Sequence, residues 1–277
     1  MINRAEITWL DSLYSNAKRV YAKASMPSHD HTHHQRVWKL SKILLLEISR
    51  INPHVDQDLV DGVIVAAFFH DLGMVHSMKE DHGALGAELC KTWFRENALA
   101  VPDRYEEVLN AIELHDIKER GSYPKITADE RPGILSLLSM ADDLEAFGII
   151  GIYRYAEIYL MRHIPLSHLG DRILSNARSR YQSLQESCGA CGKVMEICQM
   201  DYSILKDFYQ SYNLQLKQGI SPDTVFVGHL GVINYIRTRG MEEQIGPEHF
   251  SNLLESDDAI VNTYFRTLKN ELEQARN

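Results

Sequence analysis

Val63-Ile64-Val65-Ala66-Ala67-Phe68-Phe69-His70-Asp71-Leu72-Gly73 is the stretch that decides how this chain reads. It is an apolar run with no polar face that ends in a His-Asp pair and a glycine. A segment that is apolar all round reads as a buried helix. The helix expected here spans about 57–72, with Gly73 closing it in the left-handed conformation that glycine adopts without strain. His70 and Asp71 then sit at the inner end of a buried element. Buried charge has to be paired, hydrogen-bonded or bound to a metal. The question for the remaining residues is what these two are buried for.

Outward from this stretch, helical spacing dominates. Residues 4–22 place Ile7, Leu10, Leu13, Ala17 and Tyr21 on one face. A second helix is expected over about 33–51, stopped by Asn52-Pro53. Others follow at about 81–97, 103–115 and 129–148, the last with Pro132 near its first turn. A polar loop spans 116–128. The C-terminal half reads as helices over roughly 150–163, 168–187, 200–217 and 256–275. Residues 224–237 stay ambiguous: β-branched residues favour a strand, while Gly228 and Gly231 interrupt any pattern. The reading is an all-α bundle over residues 1–150 with a helical extension, 151–277, packed onto it.

A chain of 277 residues can bury a core without covalent staples. The net charge of −9 argues against a general nucleic-acid surface but leaves room for a local basic pocket. No apolar run reaches transmembrane length and no signal-peptide core opens the chain, so a soluble cytoplasmic protein is expected. Four cysteines are too few for a disulfide scaffold. Cys188-x-x-Cys191 is half of a zinc pattern with no second half spaced to complete it.

The histidines are more informative. Of 13, nine precede residue 120. His33 opens a helix in His29-Asp30-His31-Thr32-His33-His34-Gln35-Arg36, and His70 and Asp71 end the buried one. His82 opens the next, His115 ends another, and Asp142 lies in Leu138-Ser139-Met140-Ala141-Asp142-Asp143-Leu144. Several helices can thus deliver imidazoles and carboxylates to one point, as helix-bundle metal sites do. The mixed set suits Fe, Mn, Ni, Co, Zn or Mg, as one octahedral ion or as two ions bridged by Asp71. His29 and His34 remain alternatives to His33, and Asp143 to Asp142.

The order His33, His70-Asp71, Asp142 resembles the H…HD…D signature of the HD-domain superfamily of metal-dependent phosphohydrolases, over about residues 25–150. His29-Asp30-x-x-His33-x-x-Arg36-Val37, Ala66-x-x-x-His70-Asp71-Leu72-Gly73 and Ala141-Asp142-Asp143-Leu144-Glu145-Ala146 look like its three motifs. His82 and His115 look like the extra ligands of binuclear members. The resemblance implies metal-activated water attacking a small phosphate ester, a nucleotide above all. Asp71 would orient that water, and Arg36 with Lys79, Lys118 or Arg120 would meet the phosphate. Glu145 would move a proton. The lysine and the Gly-Tyr-Pro segment of the cyclic-dinucleotide phosphodiesterase branch are absent, so that activity is not expected. Two other readings stand beside this one: a di-iron HD-domain oxygenase, and a non-catalytic HD-type sensor. The expected partners are the phosphorylated substrate and, as the one protein partner allowed for, a second copy in a homodimer. No membrane and no nucleic-acid polymer are expected.

Overall fold

The structure is a computed structural model that describes residues 1–22, 28, 30–77, 81–117, 123–218, 222–247, 249 and 256–276. It is all-α, with no strand among the described residues. The chain divides into two compact units. One comprises residues 1–24, 29–144 and 183–196; the other comprises 25–28, 145–182 and 197–277.

In the first unit a short helix Ile2–Ala5 and a π-helical turn Glu6–Leu10 lead into α1 (Asp11–Tyr21). Four helices follow: α2 (His31–Ile48), α3 (Gln57–Phe69), α4 (His82–Glu96) and α5 (Tyr105–Leu114). The last is α6 (Ile134–Glu145). It starts later than proline tolerance at a first turn would allow, so Pro132 lies ahead of the helix rather than in it.

The apolar run is α3. Asp56 caps it, its side chain accepting from the Leu59 amide at 2.8 Å, which satisfies one of the donors a helix start leaves open. Residues Val63 to Phe69 are all fully buried, so this helix is the core around which α2, α5 and α4 pack. Asp30 caps α2 in the same way, accepting from the Thr32 amide and hydroxyl at 2.9 and 2.6 Å. Both caps fix the start of a helix that carries candidate site residues.

The end of α3 differs from the reading made from sequence. Helical hydrogen bonding reaches the His70 amide, which donates to Ala66 at 3.0 Å. Asp71 then takes φ −102° and ψ 2°, and a 3₁₀ turn, Leu72–Val75, follows. Gly73 is not left-handed; among the described glycines only Gly148 and Gly228 have positive φ. Its lack of a side chain is needed for another reason. A Cβ there would stand 1.9 Å from the His82 carbonyl oxygen.

The second unit holds α7 (Gly148–Met161), the larger parts of α8 (Leu166–Cys188) and α9 (Gly192–Leu216), α10 (Gly228–Tyr235) and α11 (Ala259–Arg276). The ambiguous 224–237 region is helical: a 3₁₀ turn Pro222–Thr224, then α10, then a π-helical segment Ile236–Glu242. Its β-branched side chains are there to fill a core, since Val232, Ile233 and Ile236 are fully buried. Buried tyrosines tie this unit together through their hydroxyls. Tyr209 donates to the Ile152 carbonyl and Tyr212 to that of Leu166, each at 2.8 Å. Buried hydroxyls need such partners. No helix among the described residues is long and apolar enough to cross a membrane.

Candidate metal centre

Four helix ends and one helix interior bring the candidate residues together in the first unit. His33 comes from the first turn of α2, His70 and Asp71 from the end of α3, His82 from the start of α4, His115 from the end of α5, and Asp142 from within α6. His33 and His70 are fully buried, and Asp71 and His82 nearly so.

They form two groups that share one carboxylate. In the first, the Nε2 atoms of His33 and His70 lie 3.1 Å apart. Asp71 Oδ2 stands 3.3 Å from the former and 3.5 Å from the latter. Asp142 Oδ1 completes the group at 3.7 and 3.9 Å from the same two nitrogens. In the second, His115 Nε2 and His82 Nε2 stand 3.1 and 3.5 Å from Asp71 Oδ1, and 3.4 Å from each other. Asp71 therefore turns one oxygen toward each group.

These spacings fit metal ligation. With metal–nitrogen bonds of about 2.1 Å, two ligands stand about 3.0 Å apart at a right angle and about 3.4 Å apart at the tetrahedral angle. The imidazoles are also oriented as ligands are. His70 Nδ1 donates to the Ala67 carbonyl at 2.9 Å and His115 Nδ1 to that of Ile112 at 2.8 Å. Such bonds fix the tautomer and aim the Nε2 lone pair into the site.

At His70 the electrostatics agree with a lone pair kept free. Burial pushes the pKa of His70 down to about 3, overriding the attraction of Asp71. Burial by itself would raise the Asp71 carboxyl. The surrounding imidazoles, His70 first and then His115, His33 and His82, outweigh it and hold the group ionised well below the usual carboxylate range. His115 moves upward: burial opposes its charge, but the hydrogen bond to Asp71 and the Asp71 charge prevail.

The alternatives are separated by geometry. His34 points away from the groups: its Nδ1 meets the Ala67 carbonyl at 3.0 Å and its Nε2 the Tyr21 hydroxyl at 3.2 Å. His29 lies outside the described residues. Asp143, the neighbour of Asp142, accepts a short hydrogen bond from the Tyr123 hydroxyl.

The charged residues expected near a phosphate divide in two. Arg36 is buried one turn along α2 from His33, and its Nη1 donates to Thr32 Oγ1 at 2.8 Å. Lys79, Lys118 and Arg120 lie outside the described residues. Glu145, expected to move a proton, is buried in an ion pair with Arg154 inside the second unit. No cysteine joins either of the metal-type groups found among the described residues; Cys188 and Cys191 are buried free thiols.

Residues 31–147 match the HD domain family. The chain carries an HD domain. No curated protein and no solved structure matches it. HD domains bind divalent metals and belong to a superfamily of metal-dependent phosphohydrolases, and the His/Asp clusters are compatible with such a site. Two contributors to this HD site carry no sequence signal. Tyr21 donates to the Asp71 carbonyl at 2.8 Å, and Tyr123 holds Asp143. Both act across 50 and 20 residues of chain, and neither stands in a recognisable motif.

Proposed function

We propose that this HD-domain protein is a phosphohydrolase acting on a small phosphate ester, a nucleotide above all, with two divalent ions. The observation that carries the reading is the Asp71 carboxylate, which turns Oδ2 to one pair of imidazoles and Oδ1 to another. His33, His70, Asp71 and Asp142 would hold one ion, and Asp71, His82 and His115 the other. Divalent ions, when bound, supply a water that is ionised near neutral pH and a positive centre that polarises a phosphoryl oxygen.

The chain's own residues do the rest. Asp71 is kept ionised by its neighbours and held at its backbone by Tyr21. It therefore accepts from the attacking water and orients it toward phosphorus. The two Nδ1–H bonds to backbone carbonyls keep His70 and His115 from rotating. Arg36, always charged, offers a guanidinium to a phosphate oxygen as negative charge builds there. Phosphoryl transfer asks mostly for this kind of positioning and charge neutralisation. Glu145, already paired with Arg154, supports the fold in this reading rather than the proton transfer. A water-soluble cytoplasmic setting is part of the proposal.

The test is phosphate release from a panel of nucleoside mono-, di- and triphosphates with Mn, Ni, Co or Fe supplied. Turnover that disappears in Asp71→Ala supports the reading. Failure to hydrolyse any ester with any of these metals contradicts it.

A further inference from the structure

The two groups are assembled differently, and the difference lies in glycines. Building on the two-ion reading above, we propose that Gly83 and Gly86 are positioning residues that set the second group alone, by letting α4 lie directly on backbone. A side chain at Gly83 would meet the Glu113 carbonyl oxygen at 2.5 Å and that of Ile112 at 2.9 Å. Both carbonyls belong to the last turn of α5, which ends at His115. A side chain at Gly86 would meet the carbonyls of Phe69 and His70 at 2.7 and 3.1 Å. Those belong to the end of α3, which delivers Asp71. One turn of α4 is thus wedged against both other sources of the second group.

His82 is the residue before Gly83, so its position follows from these contacts. Its Nε2 reaches Asp71 Oδ1 at 3.5 Å and His115 Nε2 at 3.4 Å only because nothing holds the backbones apart. A Cβ closer than 3.0 Å to backbone cannot be absorbed by a rotamer change; the helix itself must shift. The shift would carry His82 away from His115 for Gly83→Ala, and away from Asp71 for Gly86→Ala. The first group draws on α2, α3 and α6 and has no ligand on α4. It is spared because α4, and not the buried core helix α3 that carries His70 and Asp71, is the element that gives way to the added Cβ. The glycines then decide whether this HD site holds one ion or two.

The experiment is Mn²⁺ titration of metal-free protein by calorimetry, with bound metal counted after gel filtration. It compares wild type, Gly83→Ala, Gly86→Ala and the control Gly133→Ala, whose nearest neighbour would be 3.7 Å away. The expected result is two Mn²⁺ per chain in wild type and the control. In both α4 variants one site should weaken about tenfold or more, as when a ligand's supporting contact is lost, while the other keeps its affinity. Wild type that binds fewer than two ions overturns the two-ion reading itself. Two unchanged sites in both variants overturn the role of the glycines and leave that reading standing. Equal weakening of both sites overturns it as well. So does loss of a cooperative melt in both variants, since the glycines would then serve the whole fold and not one subsite.

Discussion

The four-residue group and the three-residue group share Asp71 and almost nothing else. His33, His70 and Asp142 come from elements whose side chains fill the core around α3. His33 and His70 are fully buried, and their geometry is fixed by the same packing that fixes the fold. His82 and His115 come from the facing ends of α4 and α5, and their meeting depends on backbone lying on glycine. The first group is a product of core formation; the second is a product of one close helix contact. The lesson is that two halves of one site can differ in how easily each is lost, although both are built from the same kinds of ligand.

The most severe way to break the comparison is to remove what the halves share. Asp71→Ala should lower phosphate release by about 10³-fold or more, since it strips both groups and the group that orients water. The far-ultraviolet circular dichroism should stay helical. Next, Asp142→Ala should weaken only the first ion, by about 10- to 100-fold. Asp143→Asn should leave both ions in place. Calorimetric titration of the two variants side by side checks this, and the reverse order of effects would mean that the carboxylates have exchanged roles.

Much of the first group was legible in the sequence because its cause is local. An apolar run that ends in two ionisable residues states the problem of buried charge directly. Asp142 likewise stands in the apolar stretch Leu137 to Leu144. The second group was legible only as two helix-end histidines and a resemblance: a histidine that opens a helix and one that ends a helix have ordinary surface roles too. What brings them together is the approach of α4 to α3 and α5, and no periodicity encodes that. The reading of Gly73 as a left-handed cap failed for the same reason. Sequence shows that a position is glycine, but not whether it serves a torsion angle or a neighbouring carbonyl. The 224–237 region was misleading in its own way. Val232, Ile233 and Ile236 are β-branched, yet tertiary burial makes them helical.

A milder change sharpens the contrast from the backbone side. Tyr21→Phe removes the hydrogen bond to the Asp71 carbonyl. It should cost about 1 kcal/mol of stability, as a net hydrogen bond does. Both ions should weaken slightly and together, because the perturbed residue is the shared one.

The smallest effect lies outside both groups. Burial raises the pKa of Asp201, in the second unit, to about 6. Its folded pKa is above the ordinary value of 3.8, so the folded state binds this proton more tightly than the unfolded one. This group therefore costs nothing below pH 3.8; the cost grows between there and about pH 6 and is fully present above it. Asp201→Asn should raise stability at pH 8 by about 1 kcal/mol, after allowance for partial solvent screening. The gain should vanish at pH 4. Denaturant melts at the two pH values measure it, and metal affinity should not change at either.

The most direct test is to chelate the protein and follow phosphate release from nucleoside phosphates before and after Mn²⁺ is returned. No turnover is expected before; afterwards turnover should rise until two equivalents are bound, and it should stay about 10³-fold lower in Asp71→Ala. Equal activity before and after Mn²⁺ is returned, or undiminished activity in Asp71→Ala, would overturn the two-ion reading.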